Sequence, residues 1–147
     1  MQNVRNHGDD GNCEIDVMEI PDNPKFSAGR TVWGTVHATH DSYANGSAHG
    51  KLTLEEGYFS DGYHDFAVLW EPGFLGWYVD GKQYYNTTQF VPDTAAYLVL
   101  DNEVGLGHLS GGDGGWAGNP AGTIFPQQML VESVTVWSRL GVVASGE

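Results

Sequence analysis

The stretch Glu14–Glu19 reads Glu-Ile-Asp-Val-Met-Glu and places three carboxylates in a short, otherwise apolar segment. Carboxylates in a half-buried strand are unfavourable unless they are paired or used in chemistry. Side chains alternate along a regular strand, so Glu14 and Asp16 share one face and Glu19 belongs to the other. One extra residue, a β-bulge at residues 17–18, brings Glu19 onto the face of the other two acids. The spacing therefore predicts three acids in one cleft.

Paired carboxyl groups on one face suit glycoside hydrolysis. Retaining enzymes need a nucleophile and an acid/base roughly 5–5.5 Å apart. Asp16, between the two glutamates, would hydrogen-bond or repel its neighbours, which keeps one carboxyl ionised and raises the pKa of another. The alternative is a solvated strand face without catalytic function, and the parity of Glu19 disfavours it.

The rest of the chain predicts strands and turns. Glycine is abundant, with 21 residues, aromatic residues make up 12%, and no segment of helical length carries a 3.6-residue apolar period. The two-residue sequence Asp80-Gly81 is a favoured hairpin turn. We expect one domain over residues 1–147, an all-β antiparallel sandwich. The predicted strands are residues 13–20, 31–38, 65–71, 74–79, 82–85, 96–104 and 129–137, with loops at 40–50 and 105–122.

Charge and composition exclude several classes of partner. The formal net charge is -13 with only six Lys plus Arg, so a nucleic-acid backbone or an anionic membrane would be repelled. A neutral polysaccharide meets no such repulsion. No apolar run approaches the length of a membrane span, and no signal peptide is visible. Cys13 is the single cysteine, which excludes a disulfide framework.

Several motifs, in order along the chain, resemble glycoside hydrolase family 16. The sequence Glu-Ile-Asp-Val-Met-Glu is similar to the family's bulged signature, as found in laminarinases and agarases. The resemblance extends from about residue 11 to residue 139. Further matching segments are residues 33–37 (WGTVH), 63–73 (YHDFAVLWEPG), 77–81 (WYVDG), 116–118 (WAG), 125–127 (FPQ) and 131–137 (VESVTVW).

The resemblance implies a role for each acid. Glu14 is expected to be the nucleophile, Asp16 the assisting acid and Glu19 the general acid/base. His37 is expected beside them, holding the carboxylates or the substrate. The implied fold is a jelly-roll, or concanavalin A-like, antiparallel sandwich. The implied activity is retaining endo-hydrolysis of β-glycosidic bonds in an extracellular polysaccharide, with laminarin-type β-1,3-glucan as the expected substrate.

Candidate substrate-binding residues surround these acids. Trp33, Trp116 and Tyr43 could stack on sugar rings, because the apolar C–H face of a sugar packs on an aromatic plane. Each could instead be ordinary core or loop packing. Asp101 and Glu103 stand where family members usually carry Asn and an apolar residue. They are expected either to bind sugar hydroxyls or to be rim charges.

Three further expectations complete the sequence-based picture. Family 16 domains are typically half as long again or more, so the chain resembles the C-terminal portion of one, and an incomplete sandwich predicts self-association through exposed sheet edges. His40 and His49 lack ligand spacing, so no metal or cofactor is expected in the cleft, while Glu132 leaves a structural calcium open. Rival functions are a galactan hydrolase or transglycosylase of the same family, and a non-catalytic glycan-binding jelly roll, which would lack the acids.

Overall fold

A computed structural model of the protein describes residues 2–5, 13–38, 46–105 and 115–138. The described residues form two antiparallel sheets, and the predicted all-β antiparallel sandwich is confirmed. The larger sheet has the strand order β4-β3-β2-β1-β8, and the smaller has the order β5-β6-β7. The strands are β1 Gln2–Arg5, β2 Glu14–Glu19, β3 Thr31–His37, β4 Ser47–Thr53, β5 Phe66–Glu71, β6 Phe74–Val79, β7 Lys82–Thr87 and β8 Tyr97–Leu100. Three short 3₁₀ turns are Pro24–Phe26, Phe59–Asp61 and Pro120–Gly122.

The predicted bulge lies in β2. On the β3 side, Asp16 pairs with Thr35 and Glu19 pairs with Trp33, so β2 has one more residue than β3 between these two pairs. The β1 side shows the same surplus, because the register shifts where β1 faces residues 16–18. Both neighbours of β2 therefore see one extra residue, and the strand changes parity there as the sequence predicted.

The hydrophobic core lies between the two sheets. On β3, Val32 and Val36 are fully buried in it, as the predicted alternation requires. Trp77 and Leu75 of β6 meet Val36 from the smaller sheet, and both side chains are fully buried. Val79 of the same strand packs with Val32. The face of the larger sheet that points away from this core is therefore the one on which polar side chains can gather.

The structure differs from the predicted strands at three places. The predicted loop at residues 40–50 overlaps β4, an edge strand whose residues alternate between half-buried and exposed. Strand β1 was not predicted, and β8 is shorter than the predicted segment 96–104. The prediction of a strand at residues 129–137 is wrong for this structure, because a strand requires a ladder partner and the described residues supply none to this segment. None of the helices in the described part of the chain is long and apolar enough to span a bilayer.

Candidate active site

The bulge gathers the three acids on the face of the larger sheet that points away from the core. Ile15 and Met18 both pack in the core, although they are three residues apart and regular alternation would separate them. Glu14, Asp16 and Glu19 therefore share the opposite face. Asp16 is almost fully buried, at 1% exposure, and the two glutamates are half-buried. This is the arrangement that the sequence predicted, although it does not by itself assign a role to each acid.

Strand β3 supplies the polar partners of these acids. His37 lies opposite Glu14 in the ladder, and its Nε2 atom is 3.2 Å from Oδ2 of Asp16. The Thr35 hydroxyl donates a long hydrogen bond of 3.4 Å to Oε2 of Glu19. The predicted place of His37 beside the carboxylates is thus where the structure puts it, and each of the two more buried acids has a neighbour on β3.

The site holds protons more tightly than exposed carboxyl groups do. Burial raises the pKa of Glu19 to about 7, and the nearby charge of Asp16 adds to the shift. Burial likewise raises the pKa of Asp16 to about 6, against the lowering effect of its bond to His37. That same bond to Asp16 raises the pKa of His37. Near neutral pH, Glu19 is therefore poised to give up and take back a proton, as a general acid/base must.

The raised pKa of Glu19 predicts how stability changes with pH. Folded Glu19 keeps its proton up to about pH 7, whereas the unfolded chain releases it near the ordinary value of 4.5. The folded state binds more protons between those values, so stability falls as pH rises through that window. The raised pKa of His37 acts in the same direction. We expect Glu19→Gln to stabilise the protein by on the order of 1–3 kcal/mol at about pH 8 and to have little effect at about pH 4.

Thermal unfolding followed at both pH values checks this prediction. Glu56→Gln is the matched control, because Glu56 is exposed and the same change there should leave the melting temperature unaltered at either pH. Equal stabilisation by Glu19→Gln at about pH 4 and about pH 8 would contradict the linkage to a raised pKa.

Three aromatic side chains form a platform beside Glu19. Trp33 lies opposite Glu19 in the ladder, and its ring centroid is 5.4 Å from that of Trp116 in a T-shaped contact. Phe26 completes the group, with its ring centroid 4.5 Å from that of Trp116 and 6.2 Å from that of Trp33. We call Phe26, Trp33 and Trp116 the aromatic platform. The structure thus brings together two predicted stacking residues and adds Phe26, which the sequence did not single out.

The loop that carries Trp116 is tied to the exit of β2 through Asn23. This side chain is only 3% exposed, and its Nδ2 atom donates to the carbonyl oxygen of Gly115 at 2.8 Å. Gly118 packs close to the same segment, because a Cβ there would lie 3.1 Å from the carbonyl oxygen of Asp22. Strand β2 and the platform are thus joined through residues that directly follow β2. Sequence reasoning missed Asn23, whose only signal was its place in the Pro-Asp-Asn-Pro break.

The edge strand β4 brings two basic groups to the rim of the platform. Lys51 lies opposite Trp33, with its Nζ atom 4.9 Å from the indole centroid in a cation–π contact. His49 lies opposite Thr35, and its ring centroid is 5.6 Å from that of Trp33. The sequence considered His49 only as a metal ligand, but the structure places it against an aromatic ring.

The remaining predicted substrate residues lie apart from the acids or outside the described chain. Asp101 and Glu103 follow β8, which is separated from β2 by β1. Neighbouring strands are about 4.8 Å apart, so these residues start about 10 Å across the sheet from β2. Their role in sugar binding stays a prediction. Tyr43 and His40 lie outside the residues that the structure describes.

Comparison with known proteins identifies the family. The family model described as glycosyl hydrolases family 16 matches residues 4–124, which is most of the chain. The chain belongs to glycosyl hydrolase family 16. The predicted family resemblance is therefore confirmed. The matched range covers the predicted one up to residue 124, and the motifs at residues 125–127 and 131–137 lie beyond it.

Several relatives of this family 16 chain carry glucanase names. Glucan endo-1,3-beta-glucosidase A1 of Niallia circulans is 34% identical over 141 residues, covering 84% of the chain and 19% of that protein. A xylanase/beta-glucanase of Ruminococcus flavefaciens is 28% identical and covers 72% of the chain and 14% of that protein. A beta-glucanase of Paenibacillus macerans is 30% identical over 74 residues, which are 50% of the chain and 31% of that protein.

The family 16 chain is shorter than all of these relatives. It spans between 14% and 31% of their lengths. Among solved structures, an endo-beta-1,3-glucanase from Pyrococcus furiosus matches with 35% sequence identity and a TM-score of 0.42, covering 52% of the chain and 28% of that protein.

The structural calcium considered at Glu132 stays a prediction. Glu132 is exposed and lies in a segment without regular secondary structure. Among the described residues, no group of three or more His, Cys, Asp or Glu side chains is placed to hold a metal ion. No step of the chemistry below uses a metal.

Proposed function

We propose that the protein is a retaining endo-hydrolase of β-glucan, with β-1,3 linkages of the laminarin type as its substrate. The observation that carries the proposal is the bulge in β2, which sets Glu14 and Glu19 on one face with Asp16 between them. The glucanase names of the relatives support the substrate class. A polymeric substrate of this kind is met outside the cell, so secretion is part of the proposal.

The chemistry follows from the two glutamates in two steps. The Glu14 carboxylate attacks the anomeric carbon while protonated Glu19 gives its proton to the departing glycosidic oxygen, so the C–O bond breaks as the glycosyl–enzyme ester forms. Water then attacks the same carbon and releases Glu14 as its carboxylate. Ionised Glu19 takes the proton from that water and is ready for the next cycle. Two displacements at one carbon restore the original configuration.

Asp16 and His37 serve this cycle by holding charge beside Glu19. The raised pKa of Glu19 depends in part on Asp16, so Glu19 is protonated when the first step needs it. The contact of 3.2 Å between Asp16 and His37 fixes the buried carboxyl in place. Because Asp16 and His37 titrate as a coupled pair, one proton can enter or leave the site while Glu14 and Glu19 stay in place.

A panel of polysaccharides tests the proposal. We expect the purified protein to release reducing ends from laminarin faster than from mixed-linkage glucan, and neither agarose nor κ-carrageenan to be cut. The first product seen by proton NMR should carry the β configuration, because retention keeps the configuration of the substrate. Cleavage of agarose alone would replace the glucan assignment with the rival galactan activity. An α first product would contradict the double displacement.

The aromatic platform is expected to bind the glucan chain next to the acid/base. Trp116 is half-buried at the rim of the platform, so a sugar ring can stack on it. We expect Trp116→Ala to raise KM for laminarin by roughly 10-fold or more, with a smaller change in kcat, because the C–H face of the sugar loses its apolar contact with the indole, and such burial contributes about 1.5–3 kcal/mol. Initial rates over a range of laminarin concentrations measure both constants.

Trp137→Ala is the matched control for the platform. Trp137 is 82% exposed, and its replacement removes the same side chain from a place outside the platform. KM should then stay at the wild-type value. If Trp137→Ala raises KM as much as Trp116→Ala does, stacking on the platform is not what binds the glucan.

A further inference from the structure

A hydrogen bond from the opposite sheet meets the catalytic strand at its bulge. Trp77 lies on β6, the middle strand of the smaller sheet, and its side chain is fully buried. Its indole Nε1 donates to the backbone carbonyl oxygen of Asp16 at 2.9 Å. Asp16 is the last residue in register with β3 before the surplus residue of β2. The Trp77 side chain of the smaller sheet thus holds the backbone of β2 in the larger sheet at its bulge, where the alternation of side chains shifts by one residue.

The backbone needs such a donor at this point. A bulge disrupts the regular exchange of ladder hydrogen bonds between neighbouring strands. A carbonyl oxygen at a disrupted position still requires a donor when water is excluded, and Asp16 is buried. The indole N–H supplies that donor from within the core. The bulged form of β2 is therefore stabilised by a contact that a regularly paired strand would not require.

Gly34 gives the indole its route to β2. This residue lies on the neighbouring strand β3, between Trp33 and Thr35. A Cβ at Gly34 would stand 2.4 Å from Cδ1 of Trp77, well inside contact distance. The missing side chain therefore leaves the space that the indole ring occupies beneath the sheet. Trp77 and Gly34 therefore depend on each other: the indole reaches the Asp16 carbonyl only because residue 34 has no side chain.

We propose that Trp77 is a positioning residue for catalysis: its indole N–H fixes the bulge of β2 and so aims Glu19 into the cleft. Trp77 lies on the core side of the larger sheet, whereas the three acids lie on the other side, so it acts through the Asp16 backbone and never touches substrate. The expected effect on turnover rests on the proposed glucan hydrolysis. The expected effect on the orientation of Glu19 does not depend on that proposal.

The first test removes the indole N–H in two ways. Trp77→Phe removes the donor together with one ring of the side chain, whereas 3-benzothienylalanine at position 77 keeps the ring size with sulfur in place of N–H. We expect either change to lower kcat on laminarin by roughly 100-fold, because a misplaced catalytic group costs about that factor. KM should change little, since the aromatic platform stays in place.

The second readout does not depend on any substrate. The Glu19 carboxyl, labelled with carbon-13 and assigned by its loss in Glu19→Gln, should titrate with a midpoint below the wild-type value of about 7. The reason is that a loosened bulge lets Glu19 turn into water, away from the burial and the Asp16 charge that raise its pKa. Glu14, His37, the Thr35 hydroxyl and Tyr84 also lie around this carboxyl, and neither substitution at Trp77 removes any of them.

Tyr84→Phe is the matched control in the same core. The Tyr84 hydroxyl is also 2.6 Å from the Cβ position at Gly34, and it has no hydrogen-bond partner among the described residues. Its removal perturbs the same packing without removing a donor to β2. Burial and the charge of Glu19 raise the pKa of Tyr84, so its hydroxyl is neutral while Glu19 titrates and its removal takes no charge from the site. We expect kcat and the Glu19 midpoint to stay at their wild-type values.

A double-mutant cycle with the bulge itself decides the mechanism. Deleting Val17 makes the pairing of β2 regular on both sides, so the Asp16 carbonyl returns to the ladder. The loss caused by Trp77→Phe should then shrink to less than about 3-fold. An equal loss in both backgrounds, or an unchanged Glu19 midpoint in the benzothienylalanine protein, overturns the proposal. If the wild-type protein cleaves no glycan but the midpoint shifts as described, the positioning role stands and the proposed function fails.

Discussion

Glu14→Ala is expected to abolish β-glucan hydrolysis, lowering kcat by roughly 10,000-fold or more. Glu14 is half-buried on the cleft face of β2, opposite His37 in the ladder. Its removal leaves no group to attack the anomeric carbon, so the first displacement cannot begin. Glu19 still protonates the leaving oxygen. The loss should therefore be measured on laminarin and on an aryl β-glucan oligosaccharide, whose leaving group needs little help from the acid.

Azide then distinguishes the two glutamates. In Glu14→Ala, azide occupies the vacated face, attacks the anomeric carbon and expels the aryl group in one displacement, which gives a glycosyl azide of inverted configuration. In the matched variant Glu19→Ala, Glu14 still forms the ester, and azide opens it in a second displacement with net retention. Proton NMR of the two glycosyl azides reads the configurations. Retained azide from Glu14→Ala, with inverted azide from Glu19→Ala, would mean that the two roles are exchanged.

The catalytic face could be predicted from sequence because the decisive signal is local. Three acids within Glu14–Glu19 have conflicting parity in a regular strand, and one surplus residue resolves the conflict. The same two-residue period puts Val32 and Val36 on one face of the strand predicted at residues 31–38, and the structure buries both in the core. These inferences need only the alternation of a strand, whereas the place of His37 beside the acids was implied by the family resemblance.

The strands that escaped prediction lack this local signal. Strand β4 reads Ser-Ala-His-Gly-Lys-Leu-Thr and lies at the edge of its sheet, so only one of its backbone edges is paired and its residues are largely polar. β-strand preference depends on neighbours and burial more than on residue type. Strand β1, which reads Gln-Asn-Val-Arg, is a strand only because β2 and β8 flank it. The apolar segment 129–137 has the residue pattern of a strand but forms none, because a favourable pattern does not by itself supply a neighbouring strand to pair with.

The parts of the site that sequence missed depend on contacts between distant segments. Asn23 reaches Gly115 across 92 positions of the chain. Trp77 reaches the Asp16 carbonyl across 61 positions. Neither contact follows from any local spacing, because each depends on how the two sheets and the loop after β8 come together. Sequence therefore predicted which acids share a face, while the groups that hold these acids in place became visible only in three dimensions.

The pairing register of β2 with β3 can be tested by two variants that differ from the wild type by one residue and should have opposite effects. Deleting Val17 leaves Glu-Ile-Asp-Met-Glu, in which regular alternation puts the three acids on one face. The pairs Asp16 with Thr35 and Glu19 with Trp33 then fit a ladder without surplus. We expect the deletion variant to keep activity within about 10- to 100-fold of the wild type, the loss arising from small shifts of the carboxyl groups.

Inserting one alanine between Val17 and Met18 should have the opposite effect. In the insertion variant Glu19 follows Asp16 by four residues, so regular alternation keeps both acids on one face but moves Glu19 two positions along β3, about 7 Å farther from Glu14. Keeping Glu19 opposite Trp33 would instead require two surplus residues to leave the ladder in front of it. We expect kcat to fall by roughly 10,000-fold, as for loss of an essential group. Initial rates on laminarin measure the fall, and circular dichroism checks that the sheets are intact.

The two variants control for each other because both change chain length by one residue at the same place. General damage to β2 would lower activity in both. Register predicts that only the insertion is severe, because only the insertion moves Glu19 away from its place opposite Trp33. This holds even though the deletion removes a buried side chain, Val17, and the insertion removes nothing. An active insertion variant beside an inactive deletion variant would show that the spacing of Glu14 and Glu19 along the sheet is not what produces catalysis.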